Sequence, residues 1–406
     1  MTSPDCAKAL KIAEQALRAN ILCLDSGYYL TAGHHQFRTL WTRDFCHSVK
    51  GLLLIDRSDV VENHLGLLVQ SARAKDGLVP RVLDNHLVQM RVAWESLRSL
   101  VPQLRGLSLR DPLRPQYVDE HGSFAIDSNL LVIRAGLELA KHTEDWRWWQ
   151  RQEESLKKIF SWYEDKLRDG LIQQPPFSDW QDSARRQGPT FLTNLLYFEV
   201  AEQLQSLGWS LPIDLTKMRE QIKSTFFCPR QKVFLSLPNS PLVSLDGNLL
   251  AILNPHFMSD SERLRLWSQL KEHPLILANQ GLFGQCSHPH YRNRDLAWHI
   301  RVARYHSYHS QLAWSWLMGL GLSAALVVQD EETVDQQIRH LIRVLLRDST
   351  VHEIYEPKEE WKPFRSWLMG SEFPFSWGAA YLIEAFYLRP VTLTKMRFSL
   401  SPSNSA

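Results

Sequence analysis

Cysteine is scarce and poorly spaced for cross-linking. The chain has five, an odd number, at Cys6, Cys23, Cys46, Cys228 and Cys286, with no C-x-x-C pair among them. That excludes a disulfide framework or a zinc knuckle and leaves structural thiols. An excess of one charge is also missing: 46 basic residues stand against 44 acidic ones, for a net charge of +2. Without a basic block there is no phosphate-binding face, and nucleic acid is not expected as a partner. No run of 18 apolar residues occurs, and the opening MTSPDCAKALKIAEQALRAN lacks an apolar signal-peptide core. Neither a membrane span nor a membrane partner is expected, and a cytoplasmic location is. Nothing in the sequence fixes an oligomeric state.

Strand-like alternation is nearly absent. The best candidate is KVFLSL at 232–237, too little for a sheet, whereas helical periodicity runs through most of the chain. The fold expected is therefore all-α, with about twelve helices starting near residues 5, 43, 60, 126, 144, 189, 213, 245, 260, 307, 331 and 375. No Pro/Gly/Ser-rich linker divides them, so residues 1–395 read as one domain and 396–406 as a frayed tail. One stretch, 75–122, lacks clear periodicity and reads as an ordered functional loop region.

What is abundant is tryptophan, 15 residues, several of them beside polar motifs. Indole faces suit both sugar rings and protein cores. Every second helix is preceded by a polar or aromatic cluster: LWTRD, FAIDSN, FSDWQDSARRQGPT, VSLDGN, RYHSYHSQLAWSW and GSEFPFSWG. If consecutive helices are antiparallel, these clusters gather at one end of the fold. Six inner and six outer helices then form a single-domain (α/α)6 barrel with one pocket. Asp, Ser and Asn are also good N-caps, which explains DSN and LDGN as well as a pocket does. Capping does not explain the Trp-Gln-Asp or Tyr-His clusters.

Two of the segments carry acid–base chemistry. In PPFSDWQDSARRQG, Asp179 and Asp182 flank Trp180. An indole packed on a carboxyl desolvates it and raises its pKa, as a general acid requires, although either Asp could equally cap a helix or pair with Arg185 or Arg186. In DSTVHEIYEPKEEW, Glu353 stands beside His352 in a stretch that Pro357 keeps extended, and it is the better base candidate than Glu359 or Glu360. A carboxylic acid and a carboxylate converging from opposite walls are the equipment of glycoside hydrolysis.

LWTRDF resembles the W-x-R-D segment of glucoamylases and related (α/α)6-barrel glycosidases. The resemblance implies that Trp41, Arg43 and Asp44 bind sugar. DWQDS is similar to the W-x-D segment of debranching glucosidase domains, and to the acid loop of glucosidase I and of the mannosylglycerate and glucosylglycerate hydrolases. It implies Asp182 as the acid, with Asp179 in reserve, and Trp180 against substrate. EIYEP resembles E-N-Y-N-P, in which the Glu is the base, and this maps to Glu353; the T-G-E that usually follows is replaced by KEEWKPF. Tyr308, His309, Trp314 and Trp316 match the spacing of Y-H-N-G-x-x-W-P-W, with Ser310, Gln311 and Ser315 departing from it. FPFSWGAA resembles the F-S-W-x-A-A stretch that contains Trp377. These matches run in family order over residues 37–388.

The implied function is an inverting glycoside hydrolase without a cofactor, acting on an α-glycosidic, expectedly α-glucosidic, bond of a small or terminal saccharide. Its substrate contacts would be Trp41, Arg43, Asp44, Asp127, Asp179, Trp180, Tyr308, His309, Trp314 and Trp377, with Asp246 in a second line. Three other readings stand beside it: a neutral-invertase-like sucrose hydrolase, a sugar epimerase or isomerase using histidines, and an inactive carbohydrate-binding barrel. The stretch HPHYRNRDLAWHIRVARYHSYHS holds His288, His290, His299, His306 and His309, but no metal is expected: His288 and His290 stand at i, i+2 without an H-E-x-x-H partner, and loop packing and hydroxyl binding by His309 explain the rest.

Overall fold

The computed structural model describes residues 4–86, 97, 109–302, 305–366 and 370–399. Among them are twelve helices of nine residues or more, numbered in chain order: α1 Pro4–Ala19, α2 Thr42–Leu54, α3 Ser58–Gln70, α4 Ser128–Thr143, α5 Arg147–Ser161, α6 Phe191–Ser206, α7 Leu215–Phe226, α8 Leu245–Leu253, α9 Asp260–Lys271, α10 Ser315–Val327, α11 Glu331–Asp348 and α12 Ser376–Ser399.

The even-numbered helices form a closed ring, with α2 packed on α4, α4 on α6, α6 on α8, α8 on α10, α10 on α12, and α12 back on α2. Sequence explains which helices are inside. In α10, SWLMGLGLSAALV carries no charge, and every residue from Ser315 to Leu326 is buried. Such a helix is stable only when surrounded. In α5 and α11, by contrast, apolar residues occupy one stripe and Lys, Arg, Glu and Gln the other, so one face packs inward and one meets water. Small residues let inner helices approach closely: a Cβ on Gly51 of α2 would lie 2.6 Å from Cα of Ala380 in α12.

Side-chain caps occur on three outer helices and on none of the inner helices α2, α4, α6, α8 and α10, although outer α3 and α5 lack them too. Outer helices α7, α9 and α11 begin at Asp214, Ser259 and Asp330, whose side chains accept from the backbone of Lys217, Glu262 and Thr333. The inner helices α2, α4, α6, α8 and α10 have no side-chain cap bond. Four of these five instead follow short strands: Leu40–Trp41, Gly188–Pro189, Val243–Ser244 and Ala313–Trp314 precede α2, α6, α8 and α10. The polar clusters at this end are thus not occupied in capping.

Each short strand is held by a partner from a neighbouring loop. Leu40–Trp41 pairs with Val82–Asp84, which pairs with Arg114–Gln116, so the flanks of the 75–122 stretch are ordered as a small three-stranded sheet. Its residues 87–96 and 98–108 lie outside the described residues. Ala313–Trp314 pairs with Ile354–Glu356. This pairing moves the start of α10 to Ser315, against an expectation near 307. Residues 306–312 form turns, because the Ala313 and Trp314 backbone is committed to a ladder instead of a helix. KVFLSL contains one short strand, Val233–Phe234, in a hairpin with Phe227–Cys228. Helix α12 continues to Ser399, so the first residues of the expected tail are helical, while 400–406 lie outside the described residues. No helix among the described residues is long and apolar enough to cross a membrane.

Candidate active site

At the end where the inner helices begin lies a cavity of about 270 Å³. Ligand pockets for drug-sized molecules run about 300–1,000 Å³, so this one lies near the lower end of that range. Ten of the twelve sequence-predicted residues line it: Trp41, Arg43, Asp44, Trp180, Asp182, Tyr308, His309, Trp314, Glu353 and Trp377.

Aromatic side chains build the floor. Trp180 meets Trp316 edge-on at 4.8 Å and Trp314 at 5.3 Å, Trp316 stacks on Trp377 at 4.6 Å, and His309 stacks on Trp314 at 5.2 Å. These rings come from α10, α12 and the loops before α6 and α10, so the wall is assembled from distant segments. His309 is buried, its Nδ1 bonded to the Ser183 hydroxyl at 2.5 Å, and burial lowers its pKa to about 3. It stays neutral across the physiological range, which makes it a poor proton shuttle there.

Asp182 and Glu353 sit in different electrostatic settings. Asp182, with 30% of its side chain exposed, accepts from Arg81 Nη2 at 2.6 Å and lies 3.4 Å from Arg43 Nη1. Two guanidiniums favour its charged form. Glu353 is buried, and that burial pushes its pKa up to about 8, against a lowering hydrogen bond from Tyr308 and with added repulsion from Glu372 and Asp44. The Tyr308 hydroxyl donates to Glu353 Oε1 at 2.8 Å. The Glu353 backbone is fixed on both sides, since its N–H donates to Glu372 O at 2.9 Å and its carbonyl accepts from Ser315 N at 3.0 Å. Asp44, partly open to the cavity, is raised to about 7, chiefly by burial and further by Asp182.

Trp180 lines the cavity beside Asp182, and its indole N–H donates to Asp246, 66 residues away, which fixes the ring in the floor. Asp127 and Asp179 do not line the cavity. Asp127 is consumed by a bidentate pair with Arg43, at 2.8 and 2.9 Å. Asp179 accepts from Gln174 Nε2 at 2.9 Å and lies 3.2 Å from Arg186 Nε, in a buried network that also includes Asp246. Asp127 thus orients Arg43 of the cavity wall, whereas Asp179 belongs to the buried network behind it.

Three polar residues escaped the sequence reading. Arg81 joins Asp182 to Asp119, whose Oδ2 lies 3.2 Å from Arg81 Nη1. Glu372, with its side chain fully buried, accepts from the backbone N–H groups of His34, His35, Gln36 and Phe37. It thereby fixes the loop that brings Gln36 and Phe37 to the cavity wall. Glu372 lies inside GSEFPFSWG, so the cluster was visible but its purpose was not.

No family model matches the chain, and no curated protein matches it in sequence. Solved structures do match. A rhamnosidase from Klebsiella oxytoca with rhamnose bound aligns with a TM-score of 0.62 at 14% identity, covering 96% of this chain and 64% of that one. A metal-independent α-mannosidase from Streptococcus pneumoniae, in a non-productive complex with α-1,6-mannobiose, aligns at 0.60 and 12% identity over 95% of each chain. A GH63 mannosylglycerate hydrolase from Thermus thermophilus, in complex with glucose, aligns at 0.61 and 11% identity, covering 95% of this chain and 100% of that one. The chain shares the (α/α)6-barrel fold of these glycosidases. It covers nearly all of the mannosidase and the hydrolase, but under two thirds of the rhamnosidase.

Proposed function

We propose that this protein is a glycoside hydrolase that cleaves an α-linked, small or terminal saccharide, expectedly an α-glucoside, by a single inverting displacement. The observation that carries the reading is the presence of Asp182 and Glu353 in one aromatic-walled cavity, delivered by the loop before α6 and the loop between α11 and α12. The neighbouring glycosidases of the same fold support it. Trp and Tyr faces pack on the sugar ring while Arg43 and Asp44 bond its hydroxyls. One carboxylic acid protonates the leaving oxygen. The other carboxylate activates a water on the opposite face, and the anomeric configuration inverts.

In the assignment implied by the motifs, Asp182 is the acid and Glu353 the base. Glu353 must then lose its proton before turnover, and Asp182 must gain one despite Arg81. Tyr308 assists the first, because a hydroxyl donated to a carboxylate favours the charged form. A second reading reverses the roles. It rests on the charges around the two carboxyls, where Glu353 holds its proton to about pH 8 and Asp182 is paired with two guanidiniums.

Glycosyl fluorides separate the two, since fluoride leaves without protonation. The variant lacking the acid keeps activity on the fluoride and loses it on an alkyl glycoside; the variant lacking the base loses both. The first reading predicts that Asp182→Ala spares fluoride hydrolysis and Glu353→Ala does not. The opposite pattern establishes the second reading. An Asp182→Ala, Glu353→Ala double variant as active as the wild type would sink both.

A further inference from the structure

We propose that Glu120, His121 and His299 form a binding site for a divalent ion of the zinc class at the rim of the cavity. This goes beyond the hydrolase reading and does not depend on it. The three residues come from two places far apart in sequence, the turn after strand Arg114–Gln116 and the short helix Trp298–Val302. One donor atom from each lies within 4.8 Å of the others. Glu120 Oε1 is 3.6 Å from His299 Nδ1 and 3.9 Å from His121 Nε2.

Those separations are long for hydrogen bonds, which for such pairs fall near 2.7–3.2 Å. They are close to the spacing of ligands around one ion: with bonds of about 2.0–2.1 Å, neighbouring donors in a tetrahedron stand about 3.3 Å apart. Reaching that spacing takes a contraction of about 0.3 Å on the His299 side and about 0.6 Å on the His121 side, with the two imidazole nitrogens, already within 4.8 Å, drawn in by the ion. The His121 Nε2 atom is shielded from solvent and has no hydrogen-bond partner, which leaves its lone pair or N–H unsatisfied. The two imidazoles are already nearly parallel, at 20° with centroids 5.9 Å apart, and Phe177 backs the His121 ring at 4.7 Å.

The donor chemistry selects the metal. Two imidazole nitrogens and one carboxylate oxygen suit Zn²⁺, whereas calcium and magnesium want oxygen alone. Three protein ligands leave one tetrahedral position for water or another donor, and two of the three, Glu120 and His299, line the cavity. The turn is prearranged, because Asp119 accepts from the N–H groups of His121 and Ser123 at 2.8 Å each. Asp119 is also the carboxylate that Arg81 joins to Asp182, so an ion here is connected through one turn and one guanidinium to the candidate acid.

The test is calorimetric titration of EDTA-stripped, tag-free protein with ZnCl₂ in a non-coordinating buffer. One ion per chain is expected. Removing a ligand should weaken binding by more than the roughly 10- to 100-fold that outer-shell changes cost, in His121→Ala, His299→Ala and Glu120→Gln alike. The last keeps size and shape, so it serves if an alanine variant misfolds. His290→Ala, which alters the other histidine pair, should leave affinity unchanged. Absence of binding to the wild type overturns the proposal. So does binding that survives Glu120→Gln and His121→Ala, or that disappears in His290→Ala.

Discussion

Burial of Glu353 makes stability depend on pH, and Glu353→Gln removes that dependence. Folding raises this carboxyl from 4.5 to about 8. Between those values the folded chain keeps a proton that the unfolded chain has released, so stability falls as pH rises. The contribution is fully present below about pH 4.5 and lost above about pH 8, and the gap corresponds to about 5 kcal/mol, as an order of magnitude. Gln is nearly isosteric, accepts the Tyr308 hydroxyl through its amide oxygen, and cannot ionise. Asp44, raised to about 7, works in the same direction, and because its charge repels Glu353 the difference between the two proteins reports Glu353 together with that coupling. Guanidinium unfolding at pH 5 and pH 9 measures the effect. The variant should gain several kcal/mol on the wild type between the two. A difference between wild type and variant that stays constant with pH would refute the assigned burial of charge.

Three further outcomes follow from named contacts. Arg43→Ala orphans Asp127, a buried carboxylate whose bidentate partner it is, and should cost about 3–5 kcal/mol by denaturant titration. Tyr308→Phe removes the hydroxyl bonded to Glu353 Oε1; kcat should fall by about tenfold or more with KM little changed, and the limb of the pH–rate profile that reports Glu353 should move to higher pH. Gly51→Ala places a methyl against the backbone of Ala380 and should lower stability by about 1–3 kcal/mol, read as a drop in Tm without loss of the fold.

The barrel was legible because its two rings differ in kind. Inner helices such as α10 are apolar all round and outer ones such as α11 are striped, so alternation along the chain reports position in the fold. Asp182 and Glu353 were legible because each stands in a compact local pattern. Arg81 and Asp119 were not: they lie in the aperiodic 75–122 stretch, and only pairing with Leu40–Trp41 brings that segment to the cavity. Asp127 and Asp179 show the converse. Their positions resemble those of sugar ligands, but the choice between facing a cavity and pairing with Arg43 or Arg186 is made by tertiary packing. The start of α10 was misplaced for a similar reason, since the strand that delays it pairs with residues about 40 positions later. Of the Glu120, His121 and His299 group only His299 stood in a visible pattern, the histidine-rich 288–309 stretch, and its partners were hidden because they lie nearly 180 residues away.

The most direct test of the inverting-hydrolase account is proton NMR of the first sugar released from a panel of α-linked substrates, including sucrose, trehalose, malto-oligosaccharides, mannosylglycerate and glucosylglycerate. The account predicts that one of them is cleaved and that its anomeric signal appears first as the β form, with the signal absent for Asp182→Asn and Glu353→Gln. Initial release of the α form, or equal release by either variant, would contradict it.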